Sequence, residues 1–103
     1  MTEQKEFNSF NEFYPYYLEE HQNQTCRRLH VIGSLLVLAT LFYTLANQQW
    51  QLLLLLPVLG YGFAWVGHFF FEKNKPATFT YPLYSFIGDW AMLKDVLTGK
   101  IKF

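Results

Sequence analysis

The chain has 103 residues, with eight basic and eight acidic side chains, no formal net charge and one cysteine. It therefore has room for one small domain, and it lacks both the basic stripe that a phosphate backbone requires and the paired thiols of a disulfide or zinc knuckle. Charged residues are 16% of the total and aromatic residues 20%, a balance that a water-soluble globule of this size struggles to hide, so the first expectation is a small all-α membrane protein with no nucleic-acid partner.

The first expected element is a helix over residues 7–20. Phe7, Phe10, Phe13, Tyr14, Tyr17 and Leu18 recur at spacings of three and four, giving one aromatic face, with Asn8, Asn11, Glu12 and Glu19 elsewhere. Such a segment is expected to lie at the membrane interface or to pack on the rest of the protein, and Pro15 predicts a kink or break near Tyr14.

From Leu29 to Phe71 there is no Lys, Arg, Asp or Glu. Asn47-Gln48-Gln49 divides this uncharged stretch into 29–46 and 50–71, of 18 and 22 residues, each long enough to cross a core of about 30 Å at about 1.5 Å per residue. The alternative is a buried hairpin in a soluble helical bundle, for which so short a chain offers little wrapping. Arg27 and Arg28 precede the first span, Lys73 and Lys75 follow the second, and the turn between them is uncharged. The positive-inside tendency then predicts a multi-pass protein with both termini in the cytoplasm, in a bacterial inner membrane or the endoplasmic reticulum. Residues 1–28 contain no apolar core of a cleavable signal, so the spans are expected to direct insertion. After the breaker Asn74-Lys75-Pro76, a third helix is expected over 77–97, with Leu83, Phe86, Ile87, Trp90, Leu93 and Leu97 at helical spacing around Asp89, which should face protein rather than lipid. All of this reads as a single membrane domain over 1–103.

The three histidines are the candidate site. His30 begins the first span and His68 nears the end of the second, so an antiparallel hairpin brings both to one depth. His68 and Glu72 are four apart on one helix face, a spacing at which two ligands project together. Small groups at Gly33, Gly60, Ala64 and Gly67 would let the two spans approach closely. A continuous helix from His21 to His30 would turn through about 900° and leave the rings on opposite faces about 13 Å apart. The chain must bend between them, with Asn23 or Thr25 as the cap that restarts the helix. His21, His30 and His68 can then share a metal at the membrane surface, with Glu20, Asn23, Glu72, Asn74 and Asp89 as outer partners. Imidazole ligands suit iron, copper, zinc or nickel alike. Taken singly, each histidine is more often a packing residue or interfacial anchor than a ligand.

With these residues in view, the chain resembles a family of small membrane proteins that includes a yeast 2-hydroxy fatty acid dioxygenase. The resemblance rests on Phe13-Tyr14-Pro15-x-Tyr17-Leu18-x-Glu20-His21-x-Asn23 and Arg27-x-x-His30. It continues through Trp65-x-x-His68-Phe69-x-x-Glu72-x-Asn74-x-Pro76-Ala77-Thr78 and ends on Pro82-x-x-Ser85-x-x-x-Asp89. It implies an iron(II)-dependent enzyme that uses O2 to remove one carbon from a 2-hydroxy long-chain fatty acid in phytosphingosine degradation, with His21, His30 and His68 required. Arg27 and Arg28 are candidates to attract the substrate carboxylate, although as flanking residues they serve more readily as topology anchors. Two other classes remain open on the residues alone: a haem or electron-transfer protein in which His30 and His68 clasp one haem, and a non-enzymatic membrane interaction module.

Overall fold

The computed structural model describes residues 7–103, and among them every regular element is helical. Helix α1 (Phe10–Glu19) starts at Ser9, whose hydroxyl accepts from the Glu12 amide at 3.3 Å, while the Glu12 carboxylate reaches back to the Asn8 amide. Pro15 neither breaks nor ends it. The carbonyl left without a proline N–H partner is that of Asn11, and both residues are exposed, so solvent can satisfy it.

Helix α2 (Gln24–Asn47) begins at Asn23, one of the two caps that the sequence offers, with the Asn23 side chain accepting from the Cys26 amide at 3.1 Å. It therefore starts five residues before the uncharged stretch and ends on Gln48, which turns the chain in a left-handed conformation at φ 53°. A 3₁₀ turn (Trp50–Leu54) leads into α3 (Leu55–Val66), and α3 continues as a π-helical turn (Gly67–Glu72) that stops at Lys73, φ 61°. A short 3₁₀ turn (Ala77–Phe79) precedes α4 (Pro82–Leu97), which has proline in its first turn, where the missing N–H costs nothing.

Helices α2 and α3 form an antiparallel hairpin held by small residues. A Cβ at Gly33 would stand 3.0 Å from the Leu59 carbonyl, and one at Gly67 would stand 3.0 Å from both Cα and Sγ of Cys26. The continuous stretches Gln24–Asn47 and Trp50–Glu72 are both long and apolar enough to cross a membrane. Only 28% and 17% of their most apolar windows are buried, the opposite of what core helices of a soluble bundle show.

Helix α1 lies across α4, with Phe13 and Tyr17 buried against Met92 and Ala77, Phe13 within 5.5 Å of the Tyr81 ring, and the Tyr14 hydroxyl donating to Asp95 at 2.7 Å. The aromatic face of α1 is thus turned onto protein. Helix α4 exposes most of its apolar repeat. Leu83, Phe86, Ile87 and Leu97 are exposed, whereas Ser85, Gly88, Met92 and Leu93 are buried. The small residues Ser85 and Gly88 among the inward positions let α4 pack closely.

A three-histidine candidate metal centre

Each histidine arrives on a different segment. His21 follows the last turn of α1, His30 sits two turns into α2, and His68 is the second residue of the π-helical turn. All three are buried. Glu72, four residues after His68 on this turn, makes its hydrogen bond elsewhere. Glu72 points at the start of α2, accepting from the Asn23 amide at 2.7 Å, while the Asn23 side chain donates to the Phe71 carbonyl at 3.2 Å. The turn at Lys73 then folds Asn74 back over His68.

The Nε2 atom of His21 lies 3.1 Å from that of His30 and 3.0 Å from that of His68, with the ring pairs at interplanar angles of 75–90°. The opposite ring nitrogens explain the arrangement. Nδ1 of His21 faces the Tyr17 carbonyl at 2.6 Å, Nδ1 of His30 the Cys26 carbonyl at 3.1 Å, and Nδ1 of His68 the Oδ1 of Asn74 at 2.6 Å. The Asn74 amide is itself oriented, because its nitrogen donates to the Glu20 carbonyl at 3.2 Å and to Glu20 Oε1 at 3.3 Å. Three acceptors thus fix the protons on Nδ1 and leave three Nε2 lone pairs facing one another.

Lone pairs at this separation repel unless a cation lies between them. Ligands about 2.1 Å from one ion and at right angles would stand about 3 Å apart, so the donor set fits a transition metal with further positions free for other ligands. The chamber among the rings holds about 20 Å³, room for one water-sized group. A porphyrin has no slot there, since His21 occupies the space between His30 and His68. This geometry argues against the haem clasp.

The Tyr17 ring stacks on His21 at 4.0 Å, and its hydroxyl donates to Asp89. Burial holds the Tyr17 hydroxyl well above its usual range and pushes the Asp89 carboxyl up to about 6. His21 is held well below the usual imidazole range, first by burial and then by the neighbouring histidines, so it stays neutral and able to ligate. Burial and the nearby Glu72 charge raise Glu20.

Of the remaining candidates, Arg27 donates to the carbonyls of Lys102, His21 and Gln22, and Arg28 donates to the Phe103 carbonyl and lies 5.3 Å over its ring. Both arginines hold the C-terminal segment, and the chamber is lined by other residues. The sequence places Ser85 in the family motif but gives it no role at the site. It lines the chamber and is buried, and its hydroxyl is the one buried side-chain polar atom among the described residues with no hydrogen-bond partner. The readable signal was its place one helical turn before Asp89.

A family model described as 2-hydroxy-palmitic acid dioxygenase Mpo1-like matches residues 7–101. No curated protein and no solved structure matches the chain. The matched span includes all three histidines together with Asn74, Ser85 and Asp89, and by that match the chain belongs to the Mpo1-like family.

Proposed function

We propose that this protein is an integral membrane dioxygenase that shortens 2-hydroxy long-chain fatty acids by one carbon, with iron(II) held by His21, His30 and His68. The reading is carried by the three Nε2 lone pairs that converge on a chamber of single-ion size, their protons tied away on the far side of each ring. The family description supports the substrate class. Iron bound there would supply the redox chemistry by which O2 cleaves the bond between C1 and C2 of a hydroxy acid. The balance is one 2-hydroxy acid and one O2 giving the acid one carbon shorter, CO2 and water. O2 takes four electrons, and the oxygen atoms of both reactants are recovered in the products.

The chain's own groups have distinct tasks in this scheme. Tyr17, Cys26 and Asn74 keep the imidazoles in the ligating tautomer. Ser85, with its hydroxyl unpaired inside the chamber, donates to the substrate carboxylate. Asp89, bonded to Tyr17 at the edge of the chamber, takes the proton of the substrate's 2-hydroxyl. The surrounding apolar helices exclude bulk water.

The test is elemental analysis of anaerobically purified protein, followed by incubation with 2-hydroxyhexadecanoic acid and O2. Stoichiometric iron and release of the shortened acid are expected, with both abolished in His68→Ala. Ser85→Ala should retain iron while KM rises about tenfold, the size of one lost hydrogen bond to a charged group. Full iron content in His68→Ala would overturn the metal assignment.

A further inference from the structure

A second cavity, of about 340 Å³, lies between Val37 and Leu41 of α2, Leu56 and Gly60 of α3, and Phe86 and Trp90 of α4. It adjoins the histidine chamber, because Tyr61 and Asp89 line both. Ser34, Tyr61 and Asp89 give it polar groups near the histidines, Trp90 adds an indole N–H, and the part reaching to Leu41 and Leu56 is apolar. From His30 to Leu41 the helix rises about 16 Å, close to half of a hydrocarbon core about 30 Å thick. The space is therefore polar at one end, apolar along its length and one leaflet deep. A third cavity, around Leu29, Val58 and Phe63, is lined by apolar residues and glycine, shares no residue with the chamber, and has the character of ordinary lipid-facing surface.

We infer that the cavity between α2, α3 and α4 is the acyl-tail channel of the substrate and that Gly60 sets how long a tail it accepts. This rests on the hydroxy-acid reading above. The head group sits at the histidines, where Ser85 offers an unpaired donor, and the unbranched tail passes between Tyr61 and Asp89 toward Leu41. Gly60 lies eight residues before His68, about 12 Å along the helix. A Cβ there would meet only Val37 Cγ2, at 3.5 Å, an ordinary contact, so the position accepts a side chain without moving the helices. A larger side chain would fill the lower half of the channel.

Two measurements on the full chain test this. The first compares kcat/KM for 2-hydroxyhexadecanoic and 2-hydroxyoctanoic acids in wild type and Gly60→Leu. The long acid should lose about tenfold or more, and the short acid should stay within about twofold, as expected when a filled pocket rejects extra methylenes. Equal loss for both acids, or for neither, overturns the channel. The second needs no turnover: in a Trp50→Phe, Trp65→Phe background, a mid-chain dibrominated free fatty acid should quench Trp90 saturably, and Gly60→Leu should abolish the saturable component. Quenching that rises only in proportion to membrane partitioning also overturns it. Saturable quenching in a wild-type protein that turns over neither acid would sustain the channel and sink the hydroxy-acid reading. Turnover with no length effect and no saturable quenching would do the reverse.

Discussion

Asn74, rather than Glu72, touches His68, and the reason lies in one turn of backbone. On an α helix His68 and Glu72 share a face, which is what their spacing predicts. Glu72 is taken up by the Asn23 amide, and the left-handed Lys73 brings Asn74 around to His68. The meeting of His21, His30 and His68 is legible from the uncharged stretch and the required break at Asn23. The carbonyls that fix their tautomers are not legible, because every residue carries one and only the fold selects Tyr17 and Cys26. Ser85 is readable only by its place one turn before Asp89; that its hydroxyl is buried and unpaired is decided by the fold. Asp89 gives a prediction at this scale. Its carboxyl is raised from 3.8 to about 6, so the neutral acid favours the fold. That contribution is complete below about pH 4 and is lost as pH rises through about 6. Asparagine mimics the neutral acid throughout. Metal-free Asp89→Asn and wild type should melt together near pH 4, with the variant increasingly the more stable toward pH 7, by an amount on the order of 3 kcal/mol. The histidines titrate in both proteins and cancel in the difference, so parallel melting curves across this range would show that Asp89 is not so held.

Among the elements, α4 shows how an apolar repeat can mark a helix without marking its buried face. Its three-four repeat correctly signals a helix, but Leu83, Ile87 and Leu97 are exposed rather than buried. The inward face is marked instead by Ser85 and Gly88, where a Cβ would stand 2.9 Å from the Tyr17 ring. Pro15 likewise overstates the break in α1, since its orphaned carbonyl lies on the exposed side. The small stripe of the hairpin reads more faithfully, and Gly67 is its tightest point. Alanine there would press on the backbone and sulfur of Cys26, one residue from His68 on one helix and four from His30 on the other. Gly67→Ala should cost about 1–3 kcal/mol through overpacking and lower metal affinity about tenfold or more by spreading the ligands. Thermal melting in detergent with metal titration checks this, and unchanged metal affinity would show that the helices can part without disturbing the trio.

For the whole molecule, the all-helical class and the two long apolar helices are legible in the charge pattern, because the uncharged stretch and its polar turn divide the chain without any tertiary information. How α1 and α4 close over one end of the hairpin is not, because that depends on contacts such as Tyr14 with Asp95 and Tyr17 with Asp89, far apart in sequence. The basic residues flanking the hairpin lead us to propose that both termini face the cytoplasm. In a Cys26→Ser background, a thiol introduced by Gln48→Cys should react with an impermeant maleimide on intact cells, and one introduced by Lys100→Cys only after permeabilisation. Labelling of both from the same side would refute this orientation.

Three histidines drawn from the end of α1, the start of α2 and the end of α3 give an ion at their centre a second task besides chemistry. It would act as a cross-link, joining stretches separated by 9 and 38 positions of chain. Stripped of it, that end of the bundle would carry unrelieved repulsion among three nitrogens. Loading and rigidity would therefore rise together, and the bundle would be stiffest only with its ion in place.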